Sequence, residues 1–170
     1  MNKIILIGCP GSGKSTLSVK LSQILNYPIL HLDKIYHIDN TKNIGREEIV
    51  RKIKEFVLIN DKWIIDGNYL GTIDLRIDLC DTIVLLNIDK DICIKNVYKR
   101  VEIGNTAMAE KFDCSKIDDE FIRFIKEFKE KHYPSIYDKC VNSTRKFIIL
   151  SDYIEINDFL KSIEKRQKAV

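Results

Sequence analysis

Residues 8–16 read GCPGSGKST and contain the complete pattern G-x-x-x-x-G-K-[ST]. Glycines in this pattern let the backbone fold into a nest of N–H groups, and the following helix adds the positive end of its dipole. Lys14 is expected to reach the β- and γ-phosphates, and the Ser15 hydroxyl to bind Mg²⁺. The pattern predicts a nucleotide-binding loop, whose phosphate-contacting residues are Gly8, Pro10, Gly11, Ser12, Gly13, Lys14, Ser15 and Thr16.

Two carboxylates follow apolar runs that have the character of strands. Asp33 lies in HLDKIYH, and Asp66 ends the run WIID. Because ligands of an open α/β sheet collect at the carboxyl ends of its strands, both side chains are expected to face the nucleotide. Asp66 is predicted to hold a Mg²⁺-bound water, and Asp33 to orient or deprotonate an acceptor group. The alternative for Asp66-Gly67-Asn68 is an ordinary turn, which these residue types also favour.

Phosphoryl transfer also needs cations near the migrating group. Arg76, in GTIDLRIDL, and Arg100, before a segment of weak periodicity, are the candidates. Both arginines could equally be solvated surface charges. The three histidines show no metal-ligand spacing and are interpreted as structural or surface groups; they are His31, His37 and His132.

The elements that position these residues follow from alternating strand-like and helical patterns, which predict an α/β fold with a parallel sheet. The predicted strands are Lys3–Ile7, Pro28–His31, Trp63–Asp66, Thr82–Asn87 and Lys146–Leu150. The predicted helices are Lys14–Leu25, Arg46–Asn60, Ile73–Leu79, Asp91–Val101, Asp118–Cys140 and Ile156–Arg166. Residues 102–117 contain a Gly104-Asn105 turn signal and are predicted to form a loop or small lid.

Composition limits the classes of protein to consider. The chain has 170 residues, which predicts one compact domain over residues 1–170. It carries 28 Lys and Arg against 25 Asp and Glu, and this balance does not favour a protein that coats nucleic acid. No signal peptide or long apolar run is recognised, so we expect a cytoplasmic protein without a membrane segment.

The motifs GCPGSGKST, HLDKIY and WIIDGNYLGTIDLRIDLCDTIVLLNID resemble those of the DNA topology modulation (FlaR-like) proteins, a branch of the adenylate-kinase-like P-loop kinases. The resemblance covers most of the chain. It implies a three-layer P-loop fold with a five-stranded sheet in the order 2-3-1-4-5, ATP with Mg²⁺, and a short lid. It also implies that Asp66 matches the strand-end Asp of adenylate kinases, Asp33 the acceptor-side Asp of shikimate-kinase-like enzymes, and Arg100 the arginine at the base of the lid.

Two functions remain open on these residues. The first is an ATP-dependent small-molecule or nucleotide kinase, in which Lys14, Asp33 and Arg100 are catalytic. Its small acceptor, by analogy a nucleoside monophosphate, is held by Asp33, Asn68, Tyr69 and Arg76. The alternative is a nucleotide-dependent binding or regulatory protein that affects DNA topology.

That alternative requires a basic stripe, and the best candidate is Arg123 with Lys126, Lys129, Lys131 and Lys139. Acidic residues interrupt this stripe, which favours a solvated helix face. Direct nucleic-acid binding is therefore not expected. A regulatory GTPase is a weaker third option, because Asn87-Ile88-Asp89-Lys90 does not form the N-K-x-D guanine motif.

Overall fold

A computed structural model describes residues 1–36, 44–102 and 117–168, and a parallel five-stranded sheet lies at its centre. The strands are β1 (Lys3–Gly8), β2 (Ile29–His31), β3 (Trp63–Asp66), β4 (Thr82–Leu86) and β5 (Lys146–Leu150). The helices are α1 (Lys14–Leu25), α2 (Leu32–Tyr36), α3 (Arg46–Ile59), α4 (Ile73–Leu79), α5 (Lys90–Glu102), α6 (Asp119–Lys131), α7 (Tyr133–Val141) and α8 (Tyr153–Lys168). A 3₁₀ turn at Leu70–Thr72 precedes α4.

The strand order is β2-β3-β1-β4-β5, with every neighbouring pair parallel. This confirms the predicted α/β fold and the order implied by the resemblance. The register pairs Leu6 and His31 with Asp66, so the last residues of β2 and β3 are level with Leu6, two residues before the end of β1. The sheet therefore brings the glycine loop and the strand-end side chains to one edge.

The central strands have the sequence character of strands covered on both faces. β3 and β4 are buried along their whole length, and β1 is buried from Ile4 onward. Near-continuous apolar runs are expected where helices cover both sides of a parallel sheet. Leu17 and Leu21 of α1 join this core. The rigid end of β1 and the first turn of α1 consequently frame the glycine loop.

The single helix predicted over Asp118–Cys140 is wrong. The structure contains two helices, α6 and α7, separated at His132, whose φ of −112° departs from helical values. Pro134 lies in the first turn of α7. Proline has no N–H and its ring clashes with the carbonyl four residues earlier, so a helix cannot continue through this position but can begin there.

Two further differences from the sequence expectation concern residues near the predicted site, while other element ends shift by one to three residues. The short helix α2 directly follows β2 and was not predicted, although it carries Asp33. Helix α5 extends to Glu102, which was expected to begin the lid. The remainder of that predicted lid, residues 103–116, lies outside the described residues, as does His37. Among the helices that the structure describes, none is both long enough and apolar enough to cross a membrane.

Candidate nucleotide site

The glycine loop connects β1 to α1 and has the backbone conformation that its glycines allow. Gly11 and Gly13 have φ values of 81° and 96°, which residues with a side chain rarely adopt. A hydrogen bond from the Ser12 N–H to the Cys9 carbonyl, 3.1 Å long, closes the turn. Gly13 is the N-cap of α1, so the first N–H groups of that helix open directly onto the loop.

The loop is also held against α5. A Cβ atom added to Gly11 would lie 2.2 Å from the Cys93 carbonyl oxygen, which leaves room only for glycine. The Asn96 side chain donates a 2.8 Å hydrogen bond to the Gly11 carbonyl and a 2.6 Å hydrogen bond to the Tyr153 hydroxyl. The tip of the loop is therefore fixed to α5, and through Asn96 to the start of α8.

Lys14 lies folded into this loop. Its side chain is 7% exposed, and Nζ donates to the carbonyl oxygens of Gly8 at 2.8 Å and Cys9 at 3.0 Å. These two acceptors hold the ammonium group at the start of the loop. Ser15 and Thr16, on the first turn of α1, are exposed. The predicted cation is thus buried in the loop, and the predicted metal-binding hydroxyl of the next residue is exposed.

Asp66 ends β3 as a buried carboxylate, 3% exposed. Oδ2 lies 3.0 Å from His31 Nδ1 and accepts a 3.4 Å hydrogen bond from the Ser18 hydroxyl. Among the residues that the structure describes, the other oxygen, Oδ1, has no hydrogen-bond partner although it is buried. Leaving a buried acceptor unpaired costs about 1–3 kcal/mol, so this oxygen is suited to a ligand or a metal-bound water.

His31 is a site residue that sequence reasoning missed, because it was assigned to structural or surface groups. Its ring meets Asp66 because these residues are register partners at the ends of neighbouring strands. The available signal was positional: both predicted strands end on these residues. The pair fixes the orientation of the Asp66 carboxylate.

Arg76 was predicted to contact the acceptor, but the structure places it 0% exposed beneath residues 67–69. Its guanidinium donates to the Gly67 carbonyl at 2.7 Å and to the Tyr69 carbonyl at 2.9 Å. Burial lowers the pKa of Arg76 to about 10, while the charges of Asp33 and Asp66 act in the opposite direction. The side chain thus supports the segment that follows Asp66, and its predicted contact with the acceptor stays a prediction.

Asn68 lies in the segment supported by Arg76. Its amide oxygen accepts a 2.9 Å hydrogen bond from the N–H of Gly8, the first residue of the glycine loop. The loop and the segment after β3 are therefore tied together. The predicted acceptor contacts of Asn68 and Tyr69 stay predictions.

Two further predicted site residues lie on helices α2 and α5. Asp33 is exposed on α2, close enough for its charge to affect the pKa of Arg76. Arg100 is exposed in the last turn of α5. A hydrogen bond with Cys9 lowers the pKa of Cys93, and the positive charges of Lys14 and Arg100 act in the same direction. Both cations are therefore close enough to Cys93 for their charges to act on its thiol.

The arrangement fits a magnesium ion that is held mainly by phosphates. Across residues 1–36, 44–102 and 117–168, no group of three or more His, Cys, Asp or Glu side chains could enclose a metal. Mg²⁺ bound with nucleotides usually needs only one or two protein groups, because water and phosphate oxygens complete its coordination. The unpaired Asp66 Oδ1 and the exposed Ser15 hydroxyl supply donors of that kind.

The basic stripe proposed for nucleic acid is partly neutralised. Lys131 Nζ lies 2.8 Å from Glu127 Oε2, and Lys139 Nζ lies 2.5 Å from Asp74 Oδ1. These ion pairs reduce the positive charge that this surface could offer to the phosphate backbone of a nucleic acid.

Comparison with known proteins identifies the fold. No family model matches the sequence, and no curated protein matches it either. Among solved structures, a gluconokinase from Sinorhizobium meliloti 1021 aligns with a TM-score of 0.59 at 11% identity, covering 99% of this chain and 92% of that one. A deoxyadenosine kinase from M. mycoides, solved with dCMP and dCDP, aligns with a TM-score of 0.58 at 19% identity, covering 98% of both chains.

A shikimate kinase from Bacteroides thetaiotaomicron is similar to the same extent, with a TM-score of 0.59 at 19% identity and 97% of both chains covered. Structural similarity at such low sequence identity shows the fold alone, which is the P-loop kinase fold of these neighbours. The resemblance to DNA topology modulation proteins stays a prediction.

Proposed function

We propose that this protein is an ATP-dependent phosphotransferase that moves the γ-phosphoryl group of Mg²⁺-ATP to a small acceptor. One observation carries the proposal. The complete glycine loop, with Lys14 folded into it, is tied through Asn68 to the segment that follows the buried Asp66 carboxylate. A nucleotide-binding loop that faces an unpaired carboxylate oxygen is suited to holding a metal-nucleotide complex.

Each residue on the nucleotide side has a distinct task in this proposal. The N–H groups of residues 8–16 hold the phosphates, and Lys14 exchanges its two carbonyl acceptors for phosphate oxygens. Ser15 and Asp66 would hold Mg²⁺, which neutralises developing negative charge when it is bound. Arg100 approaches the nucleotide from α5. His31 and Ser18 keep Asp66 Oδ2 occupied, so that Oδ1 remains directed to the ligand.

On the acceptor side, an acceptor oxygen forms the new bond to the γ-phosphorus as the bond to the bridging oxygen breaks, and ADP leaves. Asp33 takes the proton when the acceptor is a hydroxyl, and orients the acceptor when it is already a phosphate. Tyr69 lines the acceptor side, while Arg76 positions the 67–69 backbone from below. The resemblance to adenylate-kinase-like enzymes supports a nucleoside monophosphate as the first acceptor to test.

A coupled assay of ADP release with Mg²⁺-ATP tests this function across nucleoside monophosphates, nucleosides and simple hydroxyl compounds. Acceptor-dependent turnover is expected in the wild-type protein and is expected to be lost in Lys14→Ala. Lys20→Ala is a matched control, because Lys20 is an exposed residue of the same helix. Turnover that survives in Lys14→Ala would contradict the proposal, as would ATP binding without stimulation by any acceptor.

The task of Asp33 is tested separately. Asp33→Asn should lower kcat strongly while leaving ATP affinity nearly unchanged, because Asp33 lies on α2 and not on the glycine loop. Asp61→Asn serves as the charge control on an exposed position before β3. Equal loss of turnover and ATP affinity in Asp33→Asn would contradict the assigned task.

A further inference from the structure

Two side chains form hydrogen bonds with the backbone of Gly8, one with its N–H group and the other with its carbonyl group. Asn68 Oδ1 accepts from the Gly8 N–H at 2.9 Å, and Lys14 Nζ donates to the Gly8 carbonyl at 2.8 Å. The Asn68 amide and the ammonium group that serves the β- and γ-phosphates are therefore bound to the same residue at the start of the loop. This contact joins the segment after β3 to the start of the phosphate loop.

The direction of the Asn68 amide follows from this contact. An N–H group must meet an acceptor, so the oxygen faces Gly8 and the NH₂ group faces away from it. Within the part of the chain that the structure describes, Nδ2 is buried and has no hydrogen-bond partner. A second unpaired polar atom, the Ser12 hydroxyl, lies nearby, 3.2 Å from where a Cβ on Gly8 would be. A buried donor without a partner calls for an explanation, and beside a phosphate loop an oxygen of the bound nucleotide supplies the missing acceptor.

We propose that Asn68 is a catalytic residue on the nucleotide side, whose Nδ2 group donates a hydrogen bond to an oxygen of the γ-phosphoryl group. Its contact with Gly8, whose carbonyl accepts from Lys14, selects a phosphate oxygen as the acceptor. A neutral donor is suited to this position, because it stabilises charge on the transferring group without a desolvated second cation. The inference rests on the proposed function, and it moves Asn68 from the acceptor side to the donor side of the reaction.

The test compares ATP with ADP in binding experiments without an acceptor, measured by calorimetry in the presence of Mg²⁺. Because ADP lacks the γ-phosphoryl group, Asn68→Ala should weaken ATP binding about tenfold or more beyond any loss of ADP affinity that follows from the unpaired Gly8 N–H. Asn68→Asp keeps an oxygen for the Gly8 N–H but directs negative charge at the phosphate. It should therefore lose more ATP affinity than ADP affinity.

Asn157→Asp is the matched control, since Asn157 is exposed on α8 and lies outside the proposed machinery. It should bind both nucleotides like the wild-type protein. Retained ADP binding also shows that the Asn68 variants are folded. Equal loss of ATP and ADP affinity would overturn the inference, because Asn68 would then only support the loop, and unchanged affinity for both would overturn it as well. Failure of the kinase proposal gives a different result, in which wild-type protein binds ATP but transfers nothing.

Discussion

Replacement of Arg76 by methionine tests which of two roles this residue has. Arg76 either supports the backbone of residues 67–69 or contacts the acceptor directly. The two hydrogen bonds at 2.7 and 2.9 Å are donated by Nη1 and Nη2 to the Gly67 and Tyr69 carbonyls. Methionine is an adaptable apolar side chain that can occupy much of this buried space but donates no hydrogen bond. The variant therefore removes the support while leaving the site largely filled.

The magnitude follows from two opposing effects. Two hydrogen bonds from a charged donor contribute about 1.5–3 kcal/mol each, so roughly 3–6 kcal/mol is lost. The depression of the Arg76 pKa from 12.5 to about 10 corresponds to a net cost of roughly 3 kcal/mol for keeping the charge at this position, after the nearby negative groups have offset part of the effect of burial, and methionine does not carry this cost. We expect the free energy of unfolding to fall by about 2 kcal/mol, within a range of about 0–3 kcal/mol set by these effects.

Urea unfolding followed by Trp63 fluorescence measures this change, because Trp63 is the single tryptophan and is buried in the core. Arg51→Met is the matched control. Arg51 is half exposed on α3 and pairs with Glu48 and Glu55, so its loss should change the unfolding free energy by about 0.5 kcal/mol or less. In the kinase assay, Arg76→Met should lower kcat through displacement of the 67–69 segment. An unchanged free energy of unfolding, together with a raised KM for the acceptor alone, would refute this reasoning and would instead indicate that Arg76 contacts the acceptor directly.

Three further results are expected. Gly11→Ala should abolish ATP binding, because the added Cβ would lie 2.2 Å from the Cys93 carbonyl oxygen. Gly45→Ala is the control and should bind ATP normally, because a Cβ added there would have no atom within 4 Å. Asp66→Asn should weaken Mg²⁺-dependent ATP binding about tenfold or more, measured by titration with Mg²⁺. If ATP binding depended on the Mg²⁺ concentration as in the wild-type protein, Asp66 would not be a ligand of the ion. A hydrogen bond with Cys93 and burial raise the pKa of Cys9. Less thiolate is then present at pH 8, so mass spectrometry should show slower alkylation of native than of urea-unfolded Cys9, and equal rates would contradict this.

The sequence was sufficient to predict the main elements because they depend on local patterns. All five strands were located by apolar runs between turn residues, and the glycine loop by its spacing and its place between β1 and α1. The helix break at His132 could also have been predicted, since Pro134 was visible inside the proposed helix. The apolar period of α6 favours a single helix, whereas the missing N–H of Pro134 is the local signal for a break.

Contacts between distant residues could not be predicted in the same way. The His31–Asp66 pair depends on β2 and β3 being neighbours, although 35 positions separate the two residues. Arg76 looked like a surface or ligand-binding cation, because its residue type alone gives no indication that three backbone carbonyls surround it. The Asn68 contact with Gly8 spans 60 positions. Strand order and burial determine these interactions, so they emerge only from the fold.

The central claim is tested most directly by following the γ-phosphoryl group itself. Wild-type protein is incubated with Mg²⁺ and ATP labelled at the γ-phosphate, together with a mixture of nucleoside monophosphates, nucleosides and hydroxyl compounds, and the products are separated and identified by mass spectrometry. The account predicts that the label appears on one acceptor class and that this product is absent with Lys14→Ala. Label that remains on ATP, or appears only in inorganic phosphate, would contradict a phosphotransferase.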